Sequence, residues 1–209
     1  MSKLKSPRAT AKHNQILSAA SALFLQHGYA GTSMDHIANE AGVSKQTLYA
    51  YYPAKDALFS TVLENVILRL SEGGLQLPLR SGSPANVDEL HCALLQLAEA
   101  IAHSLMRPDY LALVKVIIAE ITLVPELGQL FRESVPHRVL AAIAAVLEQS
   151  RQSGVIQLPE PDVEQAARMF VGPILTYVLL DGLMTATPPC PPDRETLDRL
   201  VRLYIRSLV

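Results

Sequence analysis

Residues 33–55 carry the feature that most constrains the fold of this chain: two short helical patterns separated by a single glycine, Gly42. Glycine adopts the left-handed backbone that ends a helix without strain. The apolar positions on both sides of this glycine recur at helical spacing, so the two helices can pack together: Ile37, Ala38, Ala41, Val43, Leu48 and Tyr51. The pattern predicts a helix-turn-helix, whose second helix can enter the major groove of DNA.

Helical patterns also flank this motif. Apolar residues at three- and four-residue spacing predict a first helix over Thr10–His27, and Gly28 is expected to end it. We expect Thr32 to open the second helix, with Asp35 three residues later in a pattern close to a capping box. Ser44 is the expected cap of the third helix, and a fourth helix is expected from about residue 54 to residue 70.

The rest of the chain is also helical in pattern, and Gly-, Pro- and Ser-rich residues 71–86 form its clearest loop. Pro136 predicts a kink or break in one of these helices. The expected helices are about 87–105, 109–123, 126–152, 162–185 and 193–208. The prediction is an all-α protein of about nine helices, with a three-helix helix-turn-helix domain over residues 1–52 and a larger helical domain over residues 53–209.

Charge is divided unevenly along the chain. The whole sequence has a formal net charge of -2, but residues 1–60 contain six basic and three acidic side chains, whereas the remainder is net acidic. A basic end on an acidic body fits a modular DNA-binding protein, although a split of this size also arises by chance.

Composition argues against a membrane or secreted protein. The longest apolar run, Met169–Leu180, is interrupted by glycine, proline and threonine, and a helical span needs about 20 apolar residues. No apolar segment follows the basic N-terminus, so no signal peptide is expected and the cytoplasm is the expected location. Apolar residues make up 49% of the chain, which favours a large core or a buried subunit interface.

Motifs for catalysis and for metal or cofactor binding are absent from the sequence. Cys92 and Cys190 are isolated thiols without metal-ligand spacing, and no zinc-protease motif or glycine-rich phosphate loop occurs. The nearest approach to a metal-binding pattern is Asp88 followed three residues later by His91, without a second copy. We therefore expect neither an enzyme nor a cofactor or metal site.

Two longer segments make the motif specific. I-L-S-A-A-S-A-L-F-L-Q-H-G-Y (Ile16–Tyr29) and T-S-M-D-H-I-A-N-E-A-G-V-S-K-Q-T-L-Y-A-Y-Y-P-A-K-D-A-L (Thr32–Leu58) closely resemble the DNA-binding domain of the TetR/AcrR family of transcriptional regulators. The segment P-E-L-G-Q-L-F (Pro125–Phe131) and the helix after it resemble the regulatory domains of the AcrR-like branch.

The resemblance implies which side chains meet DNA. Lys45 and Gln46 would read base edges, since lysine suits guanine and glutamine suits adenine. Thr47 would contact a thymine methyl group or a phosphate. The remaining expected contacts are with sugar or phosphate: Thr32, Ser33, Ser44, Tyr49, Tyr51 and Lys55. Tyr52 is expected in the small core. Position 50 is often a large residue in this family, so Ala50 is not expected to contact DNA. The Lys3–Arg8 extension is either an arm that binds DNA or a solubilising tail.

The resemblance also implies a homodimer that binds a pseudo-palindromic operator and a regulatory domain that encloses a small apolar or aromatic effector. Late helices are the expected dimer surface, with Val139–Leu147 and Phe170–Met184 as candidates. The candidate effector contacts are Glu99, His103, Met106, Tyr110, Ile117, Phe131, Phe170 and Tyr177. The predicted function is a repressor released by its effector, and the alternative is a DNA-binding regulator gated by a partner protein. The fourth helix is the expected link between the two domains.

Overall fold

The computed structural model describes residues 7–69, 83–122, 125–159 and 162–208. Within these ranges the chain forms ten α-helices and no β-strand, which confirms the predicted all-α fold. The helices are α1 (Pro7–His27), α2 (Met34–Glu40), α3 (Lys45–Tyr51), α4 (Lys55–Arg69), α5 (Val87–Leu105), α6 (Pro108–Glu120), α7 (Pro125–Glu133), α8 (Val135–Gln152), α9 (Val163–Tyr177) and α10 (Arg194–Ile205). A π-helical segment, Val178–Leu183, continues α9. The Lys3–Lys5 part of the basic extension and most of the predicted 71–86 loop lie outside the described residues.

The expected break near Pro136 separates α7 from α8. Ser134 lies between the two helices, and Pro136 occupies the first turn of α8. Proline is tolerated there because the first N–H groups of a helix have no partner within the helix. The single helix expected over about residues 126–152 is therefore two helices, α7 and α8.

The chain forms two compact units. Unit 1 comprises Met1–Arg69 and Ala112–Leu130, and unit 2 comprises Leu70–Leu111 and Phe131–Val209. Helix α4 belongs wholly to unit 1, whereas α6 is divided between the two units after Leu111. The functional boundary expected between residues 52 and 53 stays a prediction.

In unit 1, α1 packs against α2 and α4, and α2 packs against α3. Phe24 is fully buried, and its ring lies edge-on to Phe59 with centroids 4.9 Å apart. Tyr52 is buried as expected, and its hydroxyl lies 2.9 Å from Nε2 of His13. Burial of these aromatic rings contributes to the stability of this small unit.

Both tight turns of unit 1 use glycine where the sequence predicts. Gly28, after α1, has φ +69°, and Gly42, between α2 and α3, has φ +62°. The expected cap of α2 is wrong, however. Ser33 is the N-cap, and its side chain accepts a hydrogen bond from the His36 amide, so no Thr32–Asp35 capping box forms. Thr32 is instead buried one residue before the cap.

In unit 2, α5 packs against α8, α9 and α10, and α8 packs against α9. The apolar stripe of α8 is already buried within one chain: Val139, Ala142, Ile143 and Leu147 are at most 6% exposed. Ala141 and Ala145 of the same segment are exposed, so the use of Val139–Leu147 as a dimer surface stays a prediction that concerns this second face of α8.

The second predicted dimer segment differs from the first. Large apolar side chains remain exposed along α9, the π-helical segment and α10: Met169, Leu175, Leu179, Leu180, Met184 and Leu203. By length and composition, Val163–Leu183 is apolar enough to cross a membrane, which the interrupted run in the sequence does not suggest. A single such helix is weak evidence for a membrane protein, and a subunit interface has the same exposed apolar character.

Candidate DNA-binding surface and effector site

Helix α3 is held in unit 1 by one buried side chain and is capped by an exposed serine. Leu48 is fully buried, and the Ser44 side chain accepts a hydrogen bond from the Thr47 amide, as expected for the cap. Lys45, Gln46 and Tyr49 are exposed. The local fold thus holds α3 by its apolar face and leaves its polar side chains available to a ligand.

Lys45 has a partner that the sequence analysis did not anticipate. Its ammonium lies 2.6 Å from a carboxylate oxygen of Asp35 on α2, and both side chains are more than half exposed. An ion pair this exposed contributes little stability. The ammonium can therefore exchange Asp35 for a base edge or a phosphate at small cost.

The other predicted DNA contacts differ in availability. Ser33 is exposed at the start of α2. Thr32 is 2% exposed, and its hydroxyl lies within hydrogen-bond distance of the Gly28 and Leu23 carbonyl oxygens. Its amide donates to Tyr29. Because these groups already have partners within unit 1, the structure does not support a phosphate contact by Thr32.

Two more predicted contacts are half-buried. The Thr47 hydroxyl lies 2.8 Å from the Ser44 hydroxyl. The Tyr51 ring lies 6.0 Å from the His13 ring, centroid to centroid. Both side chains are still partly exposed, and both belong to the same helix as Lys45 and Gln46.

Lys55, at the start of α4, also has partners within unit 1. Its ammonium lies 4.0 Å from the centroid of the Tyr29 ring. Partial burial lowers the pKa of Lys55, and the negative charge of Glu120 opposes that shift. Tyr29 itself donates its hydroxyl to Asp56 and its amide to Glu120. This cluster joins residues far apart in sequence, so no local pattern could have indicated it.

Two of the predicted effector contacts, Tyr110 and Phe131, are neighbours in unit 2, and Met106 belongs to the same unit. Met106 and Tyr110 are buried, and the half-buried Phe131 ring lies 6.1 Å from the Tyr110 ring. Burial raises the pKa of the Tyr110 phenol. No described residue accepts a hydrogen bond from that phenol.

Four other predicted contacts have different surroundings. Glu99 forms an ion pair of 3.0 Å with Arg194, and His103 is exposed. Ile117 is buried in unit 1, not in unit 2. Tyr177 is half-buried on α9. That the eight residues line one effector site stays a prediction.

A groove of about 260 Å³ in unit 2 contains the eighth, Phe170. Its lining is mostly apolar: Ala98, Met169, Phe170, Pro173, Ile174, Leu197, Leu200, Val201, Leu203, Tyr204 and Ser207. The Tyr204 hydroxyl is satisfied by the Ala166 carbonyl oxygen at 2.8 Å. Leu197, Val201 and Tyr204 were missed, although their helical spacing in the last helix marks them as one apolar face.

Comparisons with known proteins agree with this arrangement. Residues 16–62 match bacterial regulatory proteins of the TetR family, and residues 92–207 match the C-terminal domain of AefR-like transcriptional repressors. The HTH-type transcriptional repressor SCO4008 of Streptomyces coelicolor is 46% identical over 67 residues, which cover 32% of this chain and 34% of that protein. The chain thus matches about a third of the length of this curated relative.

Solved structures match over nearly the whole chain. The Flavonoid-responsive Regulator FrrA is 30% identical, with a TM-score of 0.68 and coverage of 95% of both chains. A TetR-family regulator from Mesorhizobium loti is 28% identical, with a TM-score of 0.64 and coverage of 97% of this chain and 96% of that one. The chain belongs to the TetR family and is a transcriptional regulator, not an enzyme.

Proposed function

We propose that this chain is a cytoplasmic repressor that binds a pseudo-palindromic operator as a homodimer and is released by a small aromatic effector. The exposed side chains of α3 support DNA reading, with Lys45 and Gln46 for bases and Tyr49 for the sugar-phosphate backbone. The half-buried Thr47 and Tyr51 are proposed as further contacts on the same helix. Ser33, Ser44 and Lys55 remain the proposed phosphate contacts.

A dimer follows from the need for specificity. One short helix reads too few bases to find its site in a genome, and two copies related by a two-fold axis double the contacts. The exposed apolar face of α9, the π-helical segment and α10 supports this assembly, since Met169 and Leu203 are 61% and 62% exposed in a single chain. A second copy of the chain would cover this face.

We expect Lys45→Ala to relax the base preference. Loss of a bidentate contact with guanine should cost about 1 to 3 kcal/mol at one position of the operator. The measurement is fluorescence anisotropy with a duplex selected from a randomised library by the wild-type chain, and with duplexes altered at single positions. Equal losses on all duplexes would assign Lys45 to a phosphate instead.

The unpartnered Tyr110 phenol carries the effector proposal. The ring is buried and its hydroxyl donates to no other described residue, so an aromatic ligand with a hydroxyl or carbonyl oxygen would give this hydroxyl a partner. The Phe131 ring provides apolar surface beside it, with centroids 6.1 Å apart. The name of FrrA, which is flavonoid-responsive, makes flavonoids the natural first probes.

The effector test titrates a panel of flavonoids of differing hydroxylation into the complex with the selected operator. We expect at least one to lower operator affinity, and Tyr110→Phe to weaken that response about tenfold while leaving DNA binding unchanged. Tyr204→Phe is the matched control, because that phenol already donates to Ala166. If no compound shifts operator affinity, the partner-gated alternative gains support.

A further inference from the structure

Glu120 is a buried acid that neither DNA reading nor effector binding explains. It ends α6 and is only 9% exposed. One of its carboxylate oxygens accepts the Tyr29 amide at 3.3 Å, across 91 residues of sequence. A buried carboxylate is costly unless hydrogen bonds or an opposite charge compensate it. One long hydrogen bond is modest compensation, so the neighbouring positive charge matters.

That positive charge belongs to Lys55. The Tyr29 ring packs against Phe24 and Phe59, with centroids 6.3 Å and 4.9 Å away, so its position is fixed. The Lys55 ammonium lies over this ring at 4.0 Å, where the aromatic face attracts a cation. Glu120 attracts the same ammonium electrostatically. Two features of unit 1 therefore hold Lys55 on the protein.

We propose that Glu120 is a positioning residue that competes with a DNA phosphate for Lys55 and so lowers the DNA affinity of the free protein. This inference rests on the proposed function, in which Lys55 contacts a phosphate. Lys55 is half-exposed, so its ammonium can leave the Tyr29 ring and contact a phosphate instead.

The test compares charge-removing variants on the selected operator. Glu120→Gln keeps an oxygen that accepts the Tyr29 amide but removes the charge. We expect it to raise operator affinity on the order of threefold to tenfold and to steepen the salt dependence, by up to about one unit in slope. Glu64→Gln is the matched control, since it removes one exposed charge from α4 in the same unit. We expect less than about a twofold change from it, because exposed charges are screened.

A double variant identifies the mechanism. Lys55→Met should weaken binding on all duplexes and lower the salt slope by about one unit. Glu120→Gln combined with Lys55→Met should bind like Lys55→Met alone. A gain that persists without Lys55, an equal gain from Glu64→Gln, or no gain from Glu120→Gln would overturn the inference. If the wild-type chain binds no duplex, the proposed function fails together with it, whereas normal binding with an unresponsive Glu120→Gln overturns the inference alone.

A nuclear magnetic resonance measurement on the wild-type chain tests the same competition without any variant that could misfold. The ring current of Tyr29 should shift the Lys55 ε-methylene proton resonances upfield in the free protein. Addition of the selected duplex should return them to ordinary values, because the ammonium leaves the ring for a phosphate. Resonances that keep their upfield shift in the saturated complex would contradict the competition.

Discussion

Leu203→Glu is expected to abolish dimerisation and to lower operator affinity at least about 100-fold, since each half-site alone offers too few contacts. Leu203 is 62% exposed on α10 and lines the apolar groove of unit 2. A glutamate there would bury a charge in the interface of each subunit, and an unpaired buried charge costs several kcal/mol. Analytical ultracentrifugation measures the mass, and anisotropy with the selected operator measures the affinity.

Ile118→Glu is the matched control for this prediction. Ile118 is 63% exposed, as apolar as Leu203, and lies on the part of α6 that belongs to unit 1. We expect this variant to keep the wild-type mass. A dimer that survives Leu203→Glu, or that Ile118→Glu disrupts equally, would exclude α10 from the interface.

Gly42→Val is expected to damage DNA binding through the turn that joins α2 to α3. Gly42 has φ +62°, and a β-branched residue in this left-handed region is strained by about 2 kcal/mol or more. A Cβ at this position would meet no atom within 4 Å, so the cost comes from backbone conformation alone. If the turn opens to relieve the strain, α3 is displaced and operator affinity should fall about tenfold to a hundredfold.

Gly154→Val separates this local effect from general destabilisation. Gly154 follows α8 in unit 2, has φ +74° and also has no atom within 4 Å of an added Cβ. Its strain is comparable, but it lies far in sequence from α3. Thermal unfolding should show both variants destabilised, and only Gly42→Val should lose operator affinity. An equal loss in both would indicate that stability, not the turn, controls binding.

Local chemistry explains what the sequence predicted correctly. The turns at Gly28 and Gly42 could be predicted because glycine adopts the left-handed backbone without strain. The break before α8 could be predicted because Pro136 has no N–H to donate within a helix. Ser44 caps α3 because a side-chain oxygen is needed at that position. The same reasoning failed by one residue at α2, where Thr32 and Ser33 are chemically equivalent caps. Burial of Thr32 against Leu23 and Gly28 decides between them.

Tertiary packing explains what the sequence could not give. Apolar residues surround α9 on more than one side, yet Phe170 is buried and Met169 is 61% exposed, because α5 and α8 pack against only one face of this helix. Glu120 meets Tyr29 across 91 residues, and Asp35 meets Lys45 across two helices. Phe170 and Ile117 belong to different surroundings although both are apolar residues on helices. Such pairings depend on how the helices assemble and not on spacing along the chain.

The stoichiometry and symmetry of the operator complex test the central claim most directly. The wild-type chain selects duplexes from a randomised library, and hydroxyl-radical footprinting with titration calorimetry then measures the protected sites and the number of chains bound. The proposal predicts two chains on a pseudo-palindromic sequence, with protected half-sites about one helical turn apart or a multiple of it. One chain on a single protected site, or selected sequences without two-fold symmetry, would contradict it.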